Sequence, residues 1–361
     1  MRLRLEKIFQ TWNAASLPTR LFEPYMRGGD CLVFSSDPLI IYVPDWVIRY
    51  RPVALLSVLR QFRHRTIHLL IELSWAHDNP WLIKQLTLWQ ARHLRRYPRH
   101  KVIFIANSEL EHQMLAAAGL ETAWVNHNAF VSPAIFRPLP KSEKRFDAVY
   151  DARINPFKRH NLAAGIESLA LITARVPYHH DKSYTLSIRN ILPQAHWFND
   201  PLSADYQWMS HPDINAAINQ CRVGLCLSAE EGAMVASMQY LLAGLPIVST
   251  ESRGGRDEFF NPDYVRIVAD SVDAVAAGVR EMRDCPMPAM EIRRRTLEKI
   301  EQHKTRLFEL LKAICLSEGF HSDLLCQWDS WAASPFSDCV TPATIRKRIE
   351  TATICTTDFP V

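Results

Sequence analysis

The sequence predicts an α/β protein with two domains of similar size and a helical tail, on three observations. Its 361 residues are enough for about two domains of ordinary size. Short apolar stretches alternate with longer stretches of helical periodicity, which is typical of parallel sheets covered by helices on both faces. Glycine is scarce, at 11 residues, and four of these lie between positions 232 and 255, where the backbone is expected to bend sharply or to approach a ligand.

The first domain is predicted to span residues 1–138. Its predicted strands are Cys31–Phe34, Leu39–Val43, Ile67–Leu73, Lys101–Ala106 and Thr122–Asn126, and its predicted helices are Pro80–Arg96 and Ser108–Ala118. The segment Arg137–Arg145 interrupts this alternation with prolines and charges, and it is the predicted linker.

The second domain is predicted to span residues 146–310. Its predicted strands are Ala148–Asp151, Tyr184–Ile188, Val223–Leu227, Pro246–Thr250 and Val265–Ala269, and its predicted helices are Asn161–Ala174, Ile214–Gln220, Met234–Ala243 and Ser271–Arg283. A long charged helix near 289–316 leads into a helical tail, 311–361, which we expect to pack back on the first domain.

Composition excludes several classes of protein. The formal net charge of +4 is too small to indicate nucleic-acid binding by itself. The first residues lack the apolar core of a signal peptide, and no apolar stretch approaches the ~18–20 residues that span a bilayer. The 8 cysteines form no C-x-x-C pair, which favours reduced thiols in a cytoplasmic protein. His179 and His180 are adjacent in a predicted loop without further ligands, so no metal site is predicted.

The segment from Val223 to Thr250 carries the first candidate site. A buried strand leads into an acidic, glycine-containing turn and then into a helix that begins near Ala233, whose free N–H groups suit a phosphate. The carboxylate of Glu231 could accept hydrogen bonds from sugar hydroxyls, and Gln239 lies eight positions later, near the same face of the helix. The alternative is that Glu231 is a solvated loop acid and Gln239 an ordinary surface amide.

A second candidate site follows the strand Ala148–Asp151. Arg153 and Lys158 leave the same proline-containing turn, and two cations at the carboxyl end of a strand suit a diphosphate. They could neutralise the charge that builds on a departing phosphate. An exposed basic loop is the alternative interpretation, since most Lys and Arg side chains are solvated.

Together these segments resemble the retaining glycosyltransferases of family 4, whose fold, GT-B, has two Rossmann-like domains facing a cleft. The resemblance is carried by Asn107–Gly119, Thr122–Pro138, Arg153–Lys158 and Glu231–Glu258. It implies an enzyme of the EC 2.4 class that transfers a sugar from a nucleotide-sugar donor to a glycan or glycoconjugate acceptor hydroxyl with retention, in polysaccharide or glycoconjugate synthesis. It implies no metal and no other cofactor.

The resemblance also implies a role for each matching residue. Arg153 and Lys158 would stabilise the leaving nucleoside diphosphate, Glu231 would bind hydroxyls of the donor sugar, and His77, after the strand Ile67–Leu73, would face that sugar. Contacts of the donor are implied for Gly232, Ala233, Met234 and, at the ribose, Gln239. The family has Glu at the last position, and Gln loses the charge-assisted strength of that hydrogen bond. The family's amino-terminal glycine loop is missing or displaced, with glycines only in Met26–Asp30.

The sequence is also compatible with two other functions, and it does not decide the role of one basic surface. A non-catalytic GT-B relic would bind a sugar nucleotide or serve as an assembly partner, and an epimerase or hydrolase would consume donor without an acceptor. The basic stretch 92–101, together with Arg60–Arg65, could draw the protein peripherally to the anionic inner face of a membrane or steer an anionic acceptor. A solvated helix end is the more common explanation of such a stretch, while nucleic acid is disfavoured because basic and aromatic residues do not interleave.

Overall fold

The computed structural model describes residues 29–50, 52–175, 181–320 and 340–352. Its strands are β1 Leu32–Ser36, β2 Leu39–Pro44, β3 Ile67–Glu72, β4 His100–Ala106, β5 Thr122–Trp124, β6 Phe146–Asp151, β7 Leu169–Ile172, β8 His196–Trp197, β9 Cys221–Cys226, β10 Ile247–Thr250 and β11 Val265–Val268. Its helices are α1 Asp45–Tyr50, α2 Val53–Leu59, α3 Pro80–Arg96, α4 Glu109–Ala117, α5 Lys182–Ile191, α6 His211–Asn219, α7 Val235–Leu242, α8 Val272–Met282, α9 Ala289–Ser317 and α10 Pro342–Thr351. The predictions made for Met26–Gly28 and for His179 and His180 fall outside the described residues.

Two compact units divide the described residues. The first contains the residues before Val131 together with those from His303 onward, and its sheet has the order β1-β2-β3-β4-β5. The strands from β2 to β5 are parallel, as the alternation with helices predicts, whereas β1 pairs antiparallel with β2. This departure follows from the length of the connection, because only residues 37 and 38 join the two strands and a parallel crossover needs a dozen or more.

The second unit, residues 131–302, carries a sheet of six parallel strands in the order β11-β10-β9-β6-β7-β8. Strands β7, β9 and β10 are buried apart from Arg222, which is the pattern expected of inner strands when helices cover both faces, whereas the outer strands β8 and β11 are partly exposed. Because all strands run the same way, their carboxyl ends share one edge of the sheet. At this edge β6 and β9 are neighbours, although more than 60 residues separate them along the chain.

Two predicted elements of the second unit are wrong. Residues Tyr184–Ile188 lie in helix α5 rather than in a strand, because Asp181 caps the helix by accepting the N–H groups of Ser183 and Tyr184. The predicted helix Asn161–Ala174 is instead a short 3₁₀ turn, His160–Ala163, followed by the buried strand β7.

The predicted linker Arg137–Arg145 belongs to the second unit and is held to its surface. The backbone N–H of Arg137 donates to Oδ1 of Asn215 at 3.1 Å, and that of Leu139 donates to Oδ1 of Asn219 at 2.8 Å. Both asparagines lie on α6, so the segment is fastened to that helix rather than extended between units.

The carboxyl-terminal described residues pack against the first sheet. Helix α10 contacts β1 and α2, with Ile345 and Ile349 buried in the core of the first unit. Arg348 binds the fully buried carboxylate of Asp30 through both of its terminal nitrogens. Helix α9 contributes its beginning to the second unit and its end to the first. Within the described ranges, no helix is both long enough and apolar enough to cross a membrane.

Candidate active site at the edge of the second sheet

Lys158 is positioned by the turn that follows β6. Asn155 caps the 3₁₀ turn Pro156–Lys158 by accepting the N–H of Phe157, and Tyr150 Oη donates to the carbonyl oxygen of Lys158 at 2.6 Å. The next residue, Arg159, has φ of 52°, in the left-handed region, which reverses the chain directly after the turn. As a result the Lys158 side chain is turned inward, with 9% of its surface exposed.

Glu231 is positioned by the turn that follows β9. Its backbone N–H donates to the carbonyl oxygen of Arg253 at 3.1 Å, which ties this turn to the one after β10. The carbonyl oxygen of Gly232 accepts the N–H of Gly255 at 2.6 Å, so a second backbone hydrogen bond joins the two turns. The Glu231 side chain is 5% exposed and accepts a hydrogen bond from Oγ of Ser228 at 2.6 Å.

The structure brings these two turns into direct contact. Nζ of Lys158 forms an ion pair with Oε1 of Glu231, 73 residues further along the chain. Arg153 lies at the same turn as Lys158, since both cations approach the ring of Phe157, with Cζ of Arg153 at 5.2 Å and Nζ of Lys158 at 5.0 Å from its centroid. The predicted ligands of the diphosphate, Arg153 and Lys158, therefore lie at the same edge of the same sheet as Glu231, the predicted ligand of the sugar.

Two more arginines hold the carboxyl ends of β9 and β10, and neither was assigned this part from the sequence. Arg256 is fully buried and donates to the carbonyl oxygens of Cys226, Ser228 and Thr250 at 3.2, 2.7 and 2.5 Å. Arg159 donates to the carbonyl oxygen of Leu227 at 2.5 Å and to Oγ1 of Thr250 at 2.6 Å. Strand carbonyls left without sheet partners at this edge are thus paired by guanidinium groups, which fix the turns that carry Glu231.

Helix α7 begins directly behind this turn. Gly232, Ala233 and Met234 are buried, and Met234 has φ of 49°, a left-handed conformation that a side chain like its own rarely adopts. Gln239, about one turn into the helix, is 5% exposed, and its Oε1 has no hydrogen-bond partner in the described structure. A buried acceptor without a partner lowers the free energy of unfolding by about 1–3 kcal/mol, so a donor that reaches Oε1 of Gln239 would gain a favourable hydrogen bond.

Two titratable groups beside Lys158 have strongly shifted pKa values. Burial raises the pKa of Asp151 to about 7, although the positive charge of Lys158 lowers it. Burial lowers the pKa of His160 to about 3, and its ring packs against that of Tyr150 with centroids 4.8 Å apart. The imidazole of His160 is therefore neutral at pH 7 and adds no charge to the cations of the turn.

His77 belongs to the first unit, where it follows β3. Its Nδ1 donates to the carbonyl oxygen of Trp75 at 2.8 Å, which leaves Nε2 as the acceptor that faces Nη1 of Arg49 at 3.4 Å. Burial lowers the pKa of His77, despite the opposing effect of Asp45. The side chain is therefore a neutral imidazole in a fixed tautomer.

Glu111, a residue that no sequence motif indicated, holds the backbone of His77. The buried carboxylate accepts the N–H of His77 through Oε1 and the N–H of Asn107 through Oε2, both at 2.7 Å. Glu111 lies three residues after Ser108, the residue that caps α4, where a capping-box glutamate ordinarily turns back to the cap. Here it instead joins the carboxyl ends of β3 and β4, and burial raises its pKa to about 7.

Within the described ranges, no group of three or more His, Cys, Asp or Glu side chains is arranged to hold a metal ion.

The sequence matches no protein-family model and no curated protein. The chain is similar in structure to HepE from Anabaena in complex with UDP and glucose, with a TM-score of 0.53 and 13% identity over 73% of this chain and 82% of that one. Sucrose-phosphate synthase from Thermosynechococcus elongatus gives a TM-score of 0.51 and 14% identity over 77% of this chain and 74% of that one.

A TarM variant from S. aureus, in complex with fondaparinux, α-GlcNAc-glycerol and UDP, gives a TM-score of 0.53 and 12% identity. The match covers 88% of this chain but 58% of that one. At such identities the likeness is one of fold, and the fold is GT-B, with two Rossmann-like units and a carboxyl-terminal helical segment.

Proposed function

We propose that this protein is a retaining glycosyltransferase that moves a sugar from a nucleotide-sugar donor to an acceptor hydroxyl, in polysaccharide or glycoconjugate synthesis. The observation that carries the proposal is the contact between Lys158 and Glu231 at the carboxyl edge of the second sheet. Ligands of open α/β sheets bind outside this edge. The structural neighbours crystallised with UDP, UDP-glucose or glucose support a nucleotide-sugar as the donor.

In the proposed reaction, Lys158 and Arg153 stabilise the negative charge that grows on the departing diphosphate. Glu231 is held by Ser228 and accepts hydrogen bonds from hydroxyls of the donor sugar, and Lys158 shifts its contact from Glu231 toward the phosphate when the donor binds. The departing phosphate takes the proton of the acceptor hydroxyl, which attacks on the face that the phosphate leaves. This order of events requires no protein nucleophile and no metal.

The non-catalytic relic remains the second candidate, and one observation favours it. Gln239 stands where family members carry a carboxylate, and its Oε1 is buried without a partner. A relic of this kind would bind the sugar nucleotide and release no nucleoside diphosphate.

Substitution of Lys158 tests the proposal, with a screen of UDP, GDP, ADP and dTDP sugars by thermal shift to find the donor. A ligand at 100 times its dissociation constant stabilises the folded state by ~2.7 kcal/mol. With that donor and an acceptor, Lys158→Ala should lower turnover roughly a hundredfold or more, because one preorganised charge contact contributes about 2.7–4 kcal/mol to the barrier. Lys182→Ala, at an exposed lysine of the same unit, is the matched control and should leave turnover unchanged.

Each other outcome points to a different function. Donor binding without release of nucleoside diphosphate by the unsubstituted protein would indicate the relic. Donor consumption that needs no acceptor would indicate an epimerase or a hydrolase. Turnover in Lys158→Ala equal to that of the unsubstituted protein would remove Lys158 from the mechanism.

A further inference from the structure

Helix α3 presents an outward face of unusual composition. The helix runs from Pro80 to Arg96 and contains no aspartate or glutamate. It buries Ile83, Leu86 and His93 against the first unit. On the opposite side, Trp81 is 65% exposed and Leu88 is 41% exposed.

Three exposed bases share this face with the two apolar side chains. Lys84, Arg92 and Arg95 are exposed, and the five positions 81, 84, 88, 92 and 95 follow one another at spacings of three or four, so that they form one stripe along the helix. Between Asp78 and Glu109 the chain has no acidic residue that could neutralise the stripe locally. The stripe Trp81–Lys84–Leu88–Arg92–Arg95 is called the α3 stripe below.

The structure also sorts the basic residues near the end of α3. Arg99 is exposed and donates to the carbonyl oxygen of His64 at 2.6 Å, which places the turn containing the exposed Arg63 beside the helix end. In contrast, Arg65 is paired with Asp37, and Lys101 is paired with Glu318 at 3.0 Å. Arg65 and Lys101 are therefore largely neutralised, and the positive surface comprises the α3 stripe together with the exposed Arg63, Arg96 and Arg99.

We propose that the α3 stripe docks the protein on an anionic lipid bilayer, with the helix lying along the membrane surface. An interfacial helix combines basic residues with exposed Trp and Leu, because the bases bind lipid phosphates while the apolar side chains enter the boundary between headgroups and acyl chains. Trp81 and Leu88 decide between lipid and a soluble polyanion such as RNA, since a polyanion would use the bases and leave these apolar side chains exposed to water.

The test is co-sedimentation of the full chain with vesicles of phosphatidylcholine alone or with about a third phosphatidylglycerol. The substituted protein Lys84→Gln, Arg92→Gln, Arg95→Gln should bind the anionic vesicles roughly 100-fold more weakly, at about 1 kcal/mol for each basic residue near the surface. The matched control Lys182→Gln, Arg280→Gln, Lys312→Gln removes the same charge from exposed positions elsewhere and should bind like the unsubstituted protein.

Substitution of the apolar side chains completes the test. Trp81→Ala with Leu88→Ala should weaken vesicle binding at least tenfold while leaving binding to heparin, a soluble polyanion, unchanged. The proposal is overturned if the full chain ignores anionic vesicles, if both charge variants bind them equally, or if the apolar variant binds them as before. Tighter binding to heparin or RNA than to vesicles would assign the stripe to a soluble polyanion instead.

Discussion

Lys158 and Glu231 each satisfy the charge of the other in a setting that is nearly closed to water. Removal of one partner from such a pair leaves an uncompensated buried charge, which commonly costs 3–5 kcal/mol. An anionic ligand at this edge has to draw Lys158 away from Glu231, and hydroxyls must then replace the ammonium as donors to the carboxylate. A sugar attached to a phosphate offers both groups, so on the proposed function we expect the pair to bind a sugar phosphate in preference to a simple anion.

Gln239 gives a prediction that separates a binding residue from a structural one. Its Oε1 has no partner, so Gln239→Met, which is similar in volume, should leave the free energy of unfolding unchanged or raise it by about 1 kcal/mol. The same change should weaken nucleotide binding about tenfold, because the hydrogen bond to the ligand is lost. Urea denaturation and calorimetric titration measure the two quantities. A loss of stability together with unchanged nucleotide affinity would show that the amide serves only the core.

The sequence could predict which side chains gather at this edge but not how they pair. Arg153, Lys158 and Glu231 follow predicted strands, and a parallel sheet places such positions together. The direct contact of Lys158 with Glu231 depends on the inward turn at Arg159, and no motif specifies that reversal. Glu111 was missed because a glutamate three residues after a capping serine is ordinarily part of a capping box.

At the scale of elements, the turns after β9 and β10 depend on Arg256. Its guanidinium donates to three backbone carbonyl groups inside the protein, and a hydrogen bond from a charged group contributes about 1.5–3 kcal/mol. Arg256→Met should therefore lower the free energy of unfolding of the second unit by about 3 kcal/mol or more. Arg253→Gln, at an exposed arginine three residues earlier, is the comparison and should change it by less than about 0.5 kcal/mol. Urea denaturation checks both, and equal stability of the two variants would contradict this account of Arg256.

Elements were predictable where a local signal agreed with the hydrophobic pattern. The bounds of α3 are those predicted, since Asn79 caps the helix and Pro80 occupies its first position. Tyr184–Ile188 misled because tyrosine, threonine and isoleucine favour strands, whereas the cap at Asp181 lies outside that window. Asn161–Ala174 was wrongly predicted as a helix because its leucines and alanines fit a helical period. Residues Leu169–Ile172 are buried on both faces of the sheet, where a strand is the more stable conformation.

At the scale of the molecule, His93 and His100 make stability depend on pH. They lie buried in the first unit with Nε2 of His93 and Nδ1 of His100 at 2.9 Å. Burial, with repulsion from His100, lowers the pKa of His93 to about 3, and burial lowers that of His100 to about 4. The two histidines take up protons near pH 6.5 in the unfolded chain but not in the folded chain. Both therefore lower the free energy of unfolding as the pH falls below about 6.5.

The histidine pair predicts a difference between two proteins. The free energy of unfolding of the unsubstituted protein minus that of His93→Gln should rise by on the order of 1–2 kcal/mol between pH 5 and pH 7. Denaturation at several pH values measures it. Gln61→Ala, at an exposed side chain that takes no proton, supplies a difference that stays flat over the same range. A flat difference for His93→Gln as well would show that His93 has the same pKa in the folded and unfolded states, which would contradict this account.

The division into two α/β units follows from length and alternation, but their boundaries do not. The second domain was predicted to begin at residue 146 and to end at residue 310, whereas the second unit begins at Val131 and ends at Gln302. The sequence predicts that the tail packs back on the first domain, but it does not identify β1 as the strand that α10 contacts, because that contact depends on Arg348 and a buried aspartate more than 300 residues away.

That contact bears on the order in which the two units acquire their residues during synthesis. The second unit is one continuous segment, so all of its residues are synthesised before those of α10. The first sheet, although translated earlier, lacks Val340, Ile345 and Ile349 of its core until those residues are synthesised. A chain that ends at residue 302 therefore contains every residue of the second unit but lacks part of the core of the first. To produce the first unit alone, residue 130 would have to be joined directly to residue 303.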